Sequence, residues 1–84
     1  MEKISVDELV LFLKLQVAEL ISTPIAEVDE NVEFINFGID SMHAIYLIEV
    51  LEKKLNTEIN PLLFWEYPTI RNFAEIVISE MKSS

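Results

Sequence analysis

One serine in this chain stands where chemistry could be done to it. Residues 37–42 read Phe-Gly-Ile-Asp-Ser-Met, and Gly38 is the only glycine among 84 residues. Ser41 opens a segment patterned as a helix, so its hydroxyl would lie among backbone N–H groups that lack intrahelical partners, at the positive end of the dipole. An attached or bound phosphate is electrostatically favoured there, and Gly38 lets the chain turn tightly just before it. The plainer alternative uses the same residues: Asp40 or Ser41 caps a helix and Gly38 makes a turn.

Ser41 has no means of acting alone. A serine hydroxyl is a weak nucleophile at neutral pH and needs a base within hydrogen-bond reach, commonly a histidine oriented by a carboxylate. The one histidine is His43. Two residues along a helix is about 200° of rotation, which turns His43 nearly opposite to Ser41. No G-x-S-x-G elbow is present, and Asp40 beside a serine is not a catalytic unit. His43 reads as a solvent-exposed or helix-packing residue, since a metal would need companions that the sequence does not supply. Asp29, Asn31 and Glu33 alternate as in a calcium loop, but Phe34 stands where that motif needs glycine and no closing glutamate follows at the right offset. The expectation is a protein that is not an enzyme, with catalytic residues: none, and metal ligands: none.

Composition narrows the partners. Fifteen acids against six bases give a formal charge of −9, a field that repels phosphate backbones and anionic lipid surfaces and suits basic protein surfaces. The same charge also serves to keep a hydrophobic small protein in solution. No cysteine is present, which excludes disulfides and thiolate chemistry from the chain's own residues. The first ten residues, MEKISVDELV, carry acids and do not resemble a signal peptide, and no run reaches the ~18–20 apolar residues of a membrane span. A soluble, cytoplasmic, monomeric domain is expected, without nucleic acid or membrane partners.

The elements that must position Ser41 are helical. With 51% hydrophobic residues, one glycine and three prolines, the chain suits a single all-α domain over residues 1–84, with a core about 5–82. Ser5 and Glu8 form a capping-box signature, followed by Val6, Leu9, Val10, Leu13, Val17, Leu20 and Ile21 at helical spacing through residue 21. Leu11 and Leu15 fall outside that stripe and are either core under the loop that follows, the reading placed first, or an exposed contact patch. Residues 22–40 read as a long ordered loop whose Ile25, Val28, Val32, Phe34 and Phe37 pack down on the core. The clearest helix spans 41–55, with Ala44, Leu47, Ile48, Leu51 and Leu55 on one face and Asn56 as its left-handed stop. Asn60-Pro61 introduces a short helix near 61–66. Thr69 caps a last helix lined by Ile70, Phe73, Ala74, Val77 and Met81, with Lys82 near its negative end. Three long helices and one short one result.

A wheel of about 100° per residue places Ile45, Glu49 and Glu52 near Ser41, with Met42 and Tyr46 alongside, away from the core stripe. Exposed Ile, Met and Tyr ringed by acids suit a transient protein interface, charge steering the encounter and apolar contacts holding it. Exchanging Glu49 and Glu52 for lysine is expected to weaken partner turnover without unfolding the domain.

At this point the residues resemble an acyl carrier protein domain of the phosphopantetheine-binding superfamily, most like the carrier domains of polyketide synthases. Phe34-Ile35-Asn36-Phe37-Gly38-Ile39-Asp40-Ser41-Met42 is similar to the family's F-x-x-L-G-x-D-S-L signature, and Leu62-Leu63-Phe64-Trp65-Glu66-Tyr67-Pro68-Thr69-Ile70 to its L-F-D-Y-P-T-I segment. The resemblance implies a four-helix bundle of acyl-carrier type with a long loop between helices 1 and 2. It implies that Ser41 takes 4′-phosphopantetheine from coenzyme A through a separate phosphopantetheinyl transferase, with Gly38 and Asp40 completing the site. Asp40 would recruit that enzyme and reach the magnesium ion of its transfer site. The arm's thiol would carry acyl or polyketide intermediates, as in polyketide and fatty acid biosynthesis, between ketosynthase, acyltransferase and modifying enzymes. Met42, Ile45, Tyr46, Glu49 and Glu52 would take contact roles on the partner-recognition helix. Met42 stands in for the usual leucine, a nearly volume-conserving change. Two alternatives share the elements: a peptidyl or aminoacyl carrier of a nonribosomal peptide synthetase, and a helical docking module in which Ser41 is never modified.

Overall fold

The structure is a computed structural model that describes residues 4–83; residues 1–3 and 84 of the expected 1–84 unit, and with them part of the N-terminal segment judged against signal peptides, lie outside it. Four α-helices follow one another: α1 Val6–Ile21, α2 Ser41–Leu55, α3 Leu62–Glu66 and α4 Ile70–Ser83. Two 3₁₀ turns, Ile25–Glu27 and Phe34–Phe37, interrupt the α1–α2 connection. The only extended pairing among the described residues is an isolated bridge between Glu33 and Thr69.

The capping signals act where the sequence places them. Ser5 Oγ accepts the Glu8 N–H at 3.1 Å while the Ser5 N–H donates to Glu8 Oε1 at 2.9 Å, closing the box that starts α1. These bonds, the one from the Ser5 main chain first, hold the Glu8 carboxyl below its ordinary value. The helix stops on Ser22 in the left-handed region, φ 54°. Leu9, Leu13 and Val17 are fully buried, Val10 and Ala18 nearly so, and Val6, Leu20 and Ile21 pack at the edge. Leu11 and Leu15 are not core: they are 54% and 45% exposed. The chain thus leaves this apolar pair largely on the surface.

The connection 22–40 is ordered, as expected, but it is built of short turns rather than irregular backbone. Val28 and Phe34 are buried, and Ile25 and Phe37 pack against the core from its margin. Phe34 stacks on Phe64 of α3 with centroids 4.3 Å apart and meets Phe73 of α4 edge-on at 6.0 Å, and Phe64 and Phe73 lie 5.9 Å apart. Ring pairs of this kind add about 1 kcal/mol each beyond burial. Arg71, the only arginine, fastens the loop from outside: its Nε donates to Glu30 Oε2 at 2.6 Å, its Nη1 to Asp7 Oδ1 at 3.1 Å, and its N–H to the Glu30 carbonyl at 3.0 Å. The bond to the Glu30 carboxylate is the main reason that the guanidinium pKa rises further.

The second half follows the sequence closely. Ala44, Leu47, Ile48 and Leu51 bury one face of α2, Leu55 packs at its margin, and Asn56 ends the helix at φ 53°. Asn60 Oδ1 accepts the Leu62 N–H at 3.0 Å, so the asparagine caps α3, which begins one residue later than Pro61. Thr69 Oγ1 accepts the Asn72 N–H at 3.1 Å at the start of α4, whose Ile70, Phe73, Ala74, Val77 and Ile78 are buried.

Candidate functional site

Gly38 sets the approach to the site. It terminates the Phe34–Phe37 turn with φ +79°, and its N–H returns to carbonyls of that turn. A Cβ placed there would meet nothing within 4 Å, so the need for glycine is conformational and not spatial. Ile39 then drops into the core, 3% exposed, which pins the chain between Gly38 and the helix. With Ile39 anchored inward, Asp40, Ser41 and Met42 emerge in succession, all exposed.

Asp40, not Ser41, is the N-cap of α2. Its backbone is extended, and its Oδ1 accepts the His43 N–H at 2.9 Å. That hydrogen bond is the principal reason the Asp40 carboxyl sits below its ordinary value. Ser41 is thereby released from capping and occupies the first helical position, where its own N–H and that of Met42 have no carbonyl one turn back to bond. An exposed hydroxyl next to two such N–H groups fits a covalently attached phosphodiester.

His43 departs from expectation. Its half-buried ring is neither free in solvent nor packed in the core. Its imidazole Nδ1 lies 3.2 Å from Asp40 Oδ1 and 3.5 Å from the Asp40 main-chain nitrogen, so the ring turns back onto the capping aspartate. The sequence carried this signal: Asp-x-x-His has the same three-residue offset as Ser5 and Glu8, whose box the periodicity made easy to see.

The second face of α2 is present. Met42 is 79% exposed, and Ile45, Tyr46 and Glu49 are exposed with it. Glu52 is different. Its Oε2 accepts the Ile59 N–H at 2.9 Å in a half-buried setting, so it braces the segment that follows α2. A lysine at 52 would remove that acceptor, so of the two exchanges expected to leave the domain folded, the one at Glu52 also touches the structure. Three apolar residues escaped the sequence reading: Ile35 in the second 3₁₀ turn, and Leu62 and Trp65 on α3, are all exposed. A five-residue helix is too short for periodicity to separate its faces, and Trp65 is held on the surface edge-on to buried Phe64 at 5.3 Å.

Comparison with known proteins converges on one group. The family described as the phosphopantetheine attachment site matches residues 12–77. The polyketide synthase PksL of Bacillus subtilis is 33% identical over 69 residues, which is 82% of this chain and 2% of that protein. The 6-methylsalicylic acid synthase of Penicillium terrestre is 31% identical over 78 residues, 88% of this chain and 4% of that protein. The chain thus spans only a few per cent of the length of these relatives. Among solved structures, an acyl carrier protein from Anabaena sp. PCC 7120 with a variant phosphopantetheinylation-site sequence is 30% identical, with a TM-score of 0.85 over 94% of this chain and 90% of that one. A free-standing peptidyl carrier protein from an Acinetobacter baumannii secondary metabolic pathway is 28% identical, again with a TM-score of 0.85, over 92% and 96%. With the helical fold, the exposed serine turn and these likenesses together, the chain belongs to the phosphopantetheine attachment-site family and is a carrier domain of the acyl and peptidyl carrier type, a place of covalent 4′-phosphopantetheine attachment.

Proposed function

We propose that Ser41 is the attachment residue and that the domain carries acyl or polyketide intermediates between the enzymes of a synthase. One observation supports this most: Ser41 is exposed at the first position of α2, freed from capping by Asp40 and bordered by an outward face of Met42, Ile45, Tyr46 and Glu49. In the transfer, Ser41 Oγ forms a bond to the β-phosphorus of coenzyme A and the bond to adenosine 3′,5′-bisphosphate breaks. The hydroxyl proton passes to a base of the transferase, since His43 is turned to Asp40. When bound, the arm supplies the thiol that a cysteine-free chain lacks.

The chain itself contributes no catalytic group in this reading. Its work is delivery, because a tethered substrate meets each partner at a high effective concentration. Ketosynthase, acyltransferase and modifying enzymes are the partners that the synthase relatives suggest, and Asp40 and Gly38 complete the surface read by the phosphopantetheinyl transferase. The domain acts as one monomeric unit in the cytoplasm, where coenzyme A is at hand. The likeness to a peptidyl carrier favours a second reading, in which the thioester bears an aminoacyl group.

Incubation with coenzyme A, magnesium and a promiscuous phosphopantetheinyl transferase, followed by intact mass measurement, tests the assignment. One phosphopantetheine adduct is expected on the native chain and none on Ser41→Ala. An unmodified native chain, or an adduct that persists on the alanine variant, overturns it.

A further inference from the structure

Asp40 carries a carboxylate whose two oxygens have different surroundings. Oδ1 receives the His43 N–H at 2.9 Å and faces His43 Nδ1 at 3.2 Å. The cap bond falls on Oδ1 and not on Oδ2, and the side chain as a whole is 66% exposed. The imidazole keeps a partner on Asp40 in either tautomer: a protonated Nδ1 donates to Oδ1, and a bare Nδ1 accepts the longer bond from the Asp40 N–H at 3.5 Å. An N-cap aspartate needs only one oxygen and one main-chain N–H to cap. The bond from the Asp40 N–H to the imidazole closes the capping box, whereas the approach of Nδ1 to Oδ1 goes beyond that box and bears on the rotation of the carboxylate immediately before Ser41.

We propose that His43 is a positioning residue for the modification of Ser41: it locks Asp40 through Oδ1 so that Oδ2 is presented in a fixed direction, beside the hydroxyl, to the modifying enzyme. This rests on the reading of Ser41 as the attachment residue. A carboxylate that must meet a partner group in one geometry loses affinity when it is free to turn, because the ordering is then done at the moment of encounter. His43 is half-buried while Met42, Ile45 and Tyr46 are exposed, and a route through Asp40 is told from direct contact by the Asp40→Ala background.

The test measures steady-state phosphopantetheinylation of the apo protein, with carrier concentration varied, for the native chain, His43→Ala, His43→Gln, Asp40→Ala and the Asp40→Ala/His43→Ala pair. Removing the orienting partner of a functional group costs on the order of tenfold, and that loss is expected in kcat/KM for His43→Ala. It is expected chiefly in KM. Glutamine, whose amide can both accept from the Asp40 N–H and donate to Oδ1, is expected to restore most of the rate. In the Asp40→Ala background, the His43 substitution is expected to add no further loss. Side-chain coupling constants of Asp40 by NMR give a readout independent of turnover: one χ1 rotamer in the native protein and averaged values in His43→Ala, with the helical circular dichroism of the two unchanged. A native chain modified at Ser41, together with an unchanged kcat/KM in His43→Ala or a loss that simply adds to that of Asp40→Ala, overturns the positioning role while leaving Ser41 in place. A native chain that is not modified at Ser41 overturns the underlying reading instead.

Discussion

Asp40 caps α2 with a carboxylate that pH sets apart from ordinary surface acids. Its carboxyl is held below the usual value, first by the His43 main-chain N–H, so the ionised form is favoured in the folded state. The stability this contributes is complete above the pKa of the unfolded chain and is lost as pH falls through the lower folded value. Glu8 behaves in the same direction at the start of α1, through its bonds to Ser5. In thermal melts between about pH 2 and 6, Asp40→Asn is therefore expected to show a shallower fall of Tm on acidification than the native chain, with the Glu8 share remaining. Identical acid limbs in the two proteins would show that the cap bond carries no net linkage. The residue that most changed meaning was His43: a wheel measures it against Ser41, two positions away, whereas its contact is with Asp40, three positions back.

At the level of helices, the fold was largely legible because caps and stripes agree with each other. Ser5 with Glu8, Asn56, Asn60 and Thr69 each mark an end that the backbone uses, and the buried faces of α2 and α4 follow the 3.6-residue spacing. Leu11 and Leu15 show where pattern fails. Hydrophobicity marks a residue as able to be buried, but only the packing of α1 against its neighbours decides which side is covered. Leu13→Ala, in the middle of the covered side, is expected to cost about 3 kcal/mol, while Leu11→Ser is expected to stay within about 0.5 kcal/mol. Urea unfolding of both variants checks the pair, and a large loss in Leu11→Ser would mean that this face is covered after all. The two 3₁₀ turns and the Glu52 to Ile59 bond were beyond sequence reading for a different reason. Short turns have too few residues to show a period, and a side chain that reaches seven residues ahead leaves no spacing rule to detect. The candidate site divides along the same line: Gly38 and Ser41 were visible as local chemistry, whereas the distinction between Glu49 and Glu52 needed the third dimension.

For the whole molecule, charge and closure act together. A net charge of −9 repels itself, and Arg71 offsets part of that repulsion where Asp7 and Glu30 converge. Those two acids lie 64 and 41 residues away from Arg71 along the chain. Contacts across such separations come after the local helices have formed, because loop closure must precede them. Interactions absent from the transition state govern how fast a protein unfolds and hardly touch how fast it folds. Arg71→Met is accordingly expected to leave the refolding arm of a chevron unchanged and to raise the unfolding rate constant. An equal change in both arms would place the clamp in the folding nucleus. If the two arms differ as expected, the arginine is a brake: the segment before Ser41 would assemble late and, once latched, would be slow to let go.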